Sequence, residues 1–147
     1  MKAIAGGVIA LVLLAFYFLL VRSAIEVATC IGTSGCTEFT ADSFNDVKSQ
    51  AMSVLGGLVS ALIISELAVT KPGEVPGSRV LTANSSRARN VLRWTTWFYI
   101  VAWLITGASA FWTGLNYPDA LPALTSFGQA WLGLSVASAY AYFGLSP

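Results

Sequence analysis

Four stretches of this chain carry almost no charge, and each is long enough to cross a bilayer as a helix. Residues 1–21 hold one charge, Lys2; residues 51–69 hold one, Glu66; residues 91–115 hold one, Arg93; residues 122–147 hold none. A helix spans the hydrocarbon layer with roughly 18 to 20 apolar residues. Charged residues make up only 10% of the chain, against about 25% in a typical soluble domain. So few charges cannot cover the surface of a chain this size in water. The pattern predicts an all-α integral membrane protein, one domain over 1–147, built as a four-transmembrane-helix bundle.

The expected helices run over about 3–28, 43–69, 86–115 and 121–143. The first opens with Lys2 before an apolar run, as a secretory signal does. The run is long, however, and no small-x-small cleavage site follows it directly, so it reads as a retained helix. "SFND" at 43–46 resembles a capping box and sets the expected start of the second helix at Ser43. "KPGEVPG" at 71–77 must end it, since it contains two prolines and two glycines. Ser85 and Ser86 are good N-cap types for the third helix. "NYPDALP" at 116–122 is a short turn before the fourth.

Loop charge sets the expected orientation. Residues 70–93 carry Lys71, Arg79, Arg87, Arg89 and Arg93 against Glu74 alone, whereas residues 22–50 carry Arg22 and Lys48 against Glu26, Glu38, Asp42 and Asp46. Basic loops stay cytoplasmic, which places both termini inside and the loop between the first two helices outside. Lys71, Arg79, Arg87 and Arg89 therefore read as a topology anchor, or as a contact for anionic lipid headgroups or an acidic partner. The cluster belongs to no recognisable nucleic-acid module and runs directly into an apolar stretch, so no nucleic-acid partner is expected. The sequon at Asn84 falls on the inner side and is expected to be unmodified. Cys30 and Cys36 share the outer loop, where oxidising chemistry is available, and read as a small structural disulfide ring. Thiol redox catalysis is disfavoured by the five-residue spacing and the lack of a second pair.

The chain contains no histidine. That removes the usual haem ligand and the commonest ligand for zinc, copper and non-haem iron; with only two cysteines, neither a metal nor a cofactor is expected. No glycine-rich phosphate loop and no nucleophile–base set is recognisable, so the chain reads as no enzyme.

Small residues recur at helical spacing. Ser126, Ala130, Gly133, Ala137, Ala141 and Gly144 follow one another at 4, 3, 4, 4, 3 on the fourth helix. Ser53, Gly57, Ala61 and Ser65 recur every fourth residue on the second, and Ala102, Thr106, Ala110 and Gly114 on the third. In lipid such stripes matter because they let backbones approach. The fourth-helix stripe is read as a close-packing face, either inside the bundle or against another chain. "LLAFYFLLV" on the first helix looks lipid-facing. Trp94, Trp97, Trp112 and Tyr117 read as interfacial belts, and Trp103 and Trp131 as gap fillers or contacts for a lipid-soluble ligand.

Two polar side chains fall within apolar blocks. Glu66 lies five residues before Lys71, about 7.5 Å along a helix axis, and is expected to pair with Arg93 or to snorkel to the inner interface. Gln129 lies about 12 Å in from the outer end of the fourth helix, too far from Glu66 for one compact site. Together these features favour a small accessory or assembly subunit in a multi-pass membrane complex, of a bacterial or organellar inner membrane or a plasma membrane. Its expected partners are the lipid bilayer and other integral membrane subunits, or further copies of itself. The alternatives are a small oligomeric transporter or channel using Glu66, or a phage holin-like permeabilising protein.

Overall fold

The computed structural model describes residues 2–69 and 86–144. It is all-helical, with four long helices: α1 (Lys2–Gly32), α2 (Asp46–Val69), α3 (Ser86–Asn116) and α4 (Pro122–Phe143). A 3₁₀ turn at Ala41–Ser43 sits between α1 and α2. Lys71, Arg79 and Asn84 lie outside the described residues, as do the side chains of Arg87 and Arg89.

Three segments are long and apolar enough to cross a membrane: Gly7–Gly32, Asp46–Ala68 and Arg93–Asn116. All four helices turn large apolar side chains outward, among them Phe16 and Leu19 on α1, Leu58 on α2, Ile105 on α3, and Val136 and Phe143 on α4. A soluble monomer rarely exposes apolar surface on this scale. The chain is thus a helical bundle with the surface of a membrane protein. The fourth helix carries no charge but is not among the three candidate spans. Pro122, Gln129, two tyrosines and three serines lower its mean hydropathy.

The helices form a ring in the order α1–α2–α4–α3, with α1 and α4 on one diagonal and α2 and α3 on the other. The α3–α4 pairing is the most extensive, and its register explains why. Phe111 backbone comes so close to Gly128 that an added Cβ would lie 2.8 Å from the Phe111 Cα; one at Gly114 would lie 3.0 Å from the Thr125 Cα. At Gly107 an added Cβ would overlap the Trp131 indole. Residues 107, 111 and 114 thus meet 131, 128 and 125 in antiparallel order, with a glycine on one side of each contact. Of the α3 stripe expected from the sequence, Thr106, Ala110 and Gly114 are buried and Ala102 is half-buried, and Gly114 lies in this seam.

Other elements differ from expectation in instructive ways. On α1, Leu14, Tyr17 and Val21 are buried while Phe16, Phe18 and Leu19 point out. "LLAFYFLLV" therefore supplies both the inner seam and the outer face, because a helix alternates sides within a turn. The seam continues through Ala24 and Ala28. The helix also runs to Gly32, whose bare Cα is covered by the Tyr117 ring, so the disulfide loop packs on the α3–α4 turn. Cys30 and Cys36 are joined, with Cα atoms 5.2 Å apart.

The start of α2 is set by Asn45 rather than Ser43. Asn45 Oδ1 accepts the Lys48 amide at 3.1 Å, the N-cap geometry that satisfies an otherwise orphaned donor. Ser43 folds back instead: its Oγ accepts the Thr40 amide at 3.0 Å, and its carbonyl accepts Lys48 Nζ at 2.8 Å. Burial of Phe44 in the core separates the two roles. At the other end of the chain, α4 opens with Pro122 at its first position and closes on Gly144 in the left-handed conformation (φ 64°), whose N–H donates to the Tyr140 carbonyl.

Candidate functional site

The small-residue stripe of α4 does not pack inside this bundle. Ser126, Ala130, Gly133, Ala137 and Gly144 are exposed, and Ala141 is half-buried. A Cβ added at Gly133 would meet nothing within 4 Å. The buried side of α4 is made instead by Leu124, Phe127, Gly128, Trp131 and Ser138. The spacing of the stripe establishes that six small residues share one side of the helix. It carries no information on which side the neighbours stand.

That side borders α2. A groove of about 290 Å³ opens between α2 and α4, lined by Ser53, Gly56, Gly57 and Ser60 from one helix and by Ser126, Phe127, Ala130, Trp131 and Leu134 from the other. Ser53 and Gly57 of the α2 stripe meet Ser126 and Ala130 of the α4 stripe along this groove. Ala61 and Ser65 are exposed too. A spacing of four advances about 40° around a helix at each step, so they turn away from the groove, whereas mixed steps of three and four keep the α4 stripe straight. The groove is at the small end for a ligand pocket, for which about 300 to 1,000 Å³ is usual. Its open, shallow form suits the side chains of a neighbouring helix.

The floor of the groove is closely packed. Trp103 is almost fully buried and its Nε1 donates to Ser60 Oγ at 3.0 Å. The Trp103 and Trp131 rings pack at 5.8 Å between centroids, inclined by 57°. Phe127 lies over Gly56, where an added Cβ would overlap its ring, and on its other side packs against Tyr17 at 6.0 Å. Both deep tryptophans therefore fill space between helices. A buried hydrogen bond across two helices, worth about 1 kcal/mol, fixes the rotamer that shapes the groove.

Gln129 flanks the same stripe and is exposed. No hydrogen bond of the described residues involves its amide. On a surface otherwise formed by small and apolar residues, with serine hydroxyls as the other polar groups, this is the one side-chain amide.

Among the described residues no Glu66–Arg93 ion pair is seen. Glu66 is half-buried near the end of α2 and Arg93 is exposed near the start of α3. These helices stand on a diagonal of the ring and scarcely touch, so similar depth does not bring the two charges together. An ion pair among the described residues is Arg22–Glu26 on α1, at 2.9 Å and open to solvent. Its i, i+4 spacing was the available signal, and at such exposure it contributes little stability. A second cleft, of about 470 Å³, is lined by Asn90, Arg93, Trp94 and Trp97. Neither cleft includes Glu66 or Gln129. Among the described residues no three His, Cys, Asp or Glu side chains gather as a metal site would require.

Comparison with protein-family models, with curated proteins and with solved structures returned no match. The class of the protein therefore rests on its fold: an all-α bundle with three helices long and apolar enough to cross a membrane, and a Cys30–Cys36 disulfide.

Proposed function

We propose that the chain is a non-catalytic subunit of a larger membrane complex, crossing the bilayer four times and docking against a helix of a different integral membrane protein through its α2–α4 face. The observation that carries this reading is the groove. Ser53 and Gly57 of one small stripe and Ser126 and Ala130 of another line one open groove, and among the described residues nothing comes within 4 Å of a Cβ added at Gly57 or Gly133. In lipid, apolar side chains gain little by pairing with one another, so close backbone approach and interhelical hydrogen bonds drive association. The groove offers the first. Gln129 offers the second, since an amide facing hydrocarbon without a partner is unfavourable by several kcal/mol.

The transporter reading has less behind it. Transporters gather their binding groups near the midplane, whereas Glu66 stands close to the end of α2 and lines neither cleft.

The four-crossing arrangement has both ends of the chain and the 70–85 segment in the cytoplasm, with the Cys30–Cys36 loop outside. Basic loop charge supports this orientation. Cysteine labelling in intact cells tests it. Thr40→Cys is expected to react with a membrane-impermeant maleimide from outside, and Ser78→Cys only after permeabilisation. Labelling of Ser78→Cys in intact cells would reverse the orientation.

A further inference from the structure

We propose that Asn90, Arg93, Trp94 and Trp97 form a site for the phosphate of an anionic phospholipid headgroup. These residues are spaced 3, 4 and 7 from the first, which brings them to one face of α3, and they line one cleft of about 470 Å³. Arg93 is the one charge of the apolar stretch 91–115 and lies near its start, beside the basic 70–89 segment. Basic residues at such an end favour the headgroup region. Arg93 is exposed, and no carboxylate among the described residues pairs with it.

The chemistry of the cleft selects its occupant. A guanidinium offers a planar fork of donors that matches two phosphate oxygens. Asn90, one turn nearer the start of α3 and exposed, adds a neutral amide donor on the headgroup side. Trp94 is 75% exposed and Trp97 45% exposed, an unusual state for indoles unless their rings lie along lipid. A cation beside two outward indoles near the start of an apolar stretch fits a ligand with an anionic head and an apolar tail. A basic patch on a membrane helix attracts anionic lipid with about 1 kcal/mol per cation near the surface.

The site rests on the membrane reading of α3 and not on the docking role of the α2–α4 face, so the two can fail separately. The test uses the full chain carrying Trp112→Phe, which removes the other exposed indole; Trp103 and Trp131 are buried. The protein is reconstituted into phosphatidylcholine vesicles containing brominated phosphatidylglycerol or brominated phosphatidylcholine, and tryptophan quenching is read against mole fraction. Brominated phosphatidylglycerol is expected to reach half-maximal quenching at about five-fold lower mole fraction, and Arg93→Gln to remove that preference. Asn90→Ala, which keeps every charge, is expected to reduce it in part and serves as the readout should Arg93→Gln fail to reconstitute. Equal quenching by the two lipids would overturn the site, as would a preference unchanged in both variants. Loss of the preference in millimolar inorganic phosphate at constant ionic strength would assign a free anion instead. Displacement by a polyglutamate peptide would assign an acidic protein.

Discussion

Gly128→Leu is expected to lower the thermal stability of the purified protein markedly, while Gly133→Leu, five residues along the same helix, is expected to leave it unchanged. The two glycines differ in what faces them. A Cβ at Gly128 would lie 2.8 Å from the Phe111 Cα and 3.1 Å from its amide nitrogen, so the obstruction is backbone and no rotamer change relieves it. α3 and α4 must then separate, and with them the neighbouring contacts of Gly107 with Trp131 and of Gly114 with Thr125. Overpacking of this kind typically costs about 1 to 3 kcal/mol, and a leucine pressed on backbone belongs at the upper end. At Gly133 there is open space. Thermal unfolding in mild detergent separates the cases. Equal destabilisation by both substitutions would mean that α4 presents a different face to the bundle.

Filling the α2–α4 groove is expected to release the partner without unfolding the chain. Ala130 and Gly57 are both exposed, and an added Cβ at Gly57 meets nothing within 4 Å. Gly57→Leu with Ala130→Leu therefore places two bulky side chains where a partner helix would lie. The same overpacking range, about 1 to 3 kcal/mol, corresponds to roughly 5- to 150-fold weaker association. Co-purification in mild detergent, quantified by mass spectrometry, is expected to lose a subunit that wild type retains in fixed ratio. Ile105→Ala on the outer face of α3 is expected to retain it. Gln129→Leu is expected to weaken the complex by about 1 kcal/mol and to leave the isolated protein as stable as before. A complex that survives the double substitution would remove the groove from the interface.

The helices were legible because their physics is local. Apolar runs of bilayer length, the breaker "KPGEVPG" and the turn "NYPDALP" bring the expected 86–115 and 121–143 to within one residue of α3 and α4. The disulfide was legible because five intervening residues close easily. What the sequence withheld is orientation around each helix axis. Ala102, Thr106, Ala110 and Gly114 on α3 and the six small residues of α4 both recur at three- or four-residue steps, yet one stripe is largely buried and the other largely exposed. The seam depends on Gly107 and Gly128, whose partners Trp131 and Phe111 lie 24 and 17 residues away in sequence. No short-range pattern reports such pairs. The Glu66–Arg93 expectation meets a related limit. Equal depth says nothing about which helices are neighbours, and α2 and α3, consecutive in sequence, stand across the diagonal. Ser43 and Asn45 show the same limit at close range. Both are good cap types, and burial of Phe44 between them decides which one caps.

The docking claim meets its most direct test in site-specific photo-crosslinking in the native membrane. A benzophenone amino acid is placed at Ala130, in the groove, and separately at Ile105, which points outward from α3. The account predicts one protein adduct of defined mass from position 130, containing a second and different polypeptide, and lipid adducts alone from position 105. Lipid adducts alone from position 130, or a product of two copies of this chain and nothing else, would contradict it.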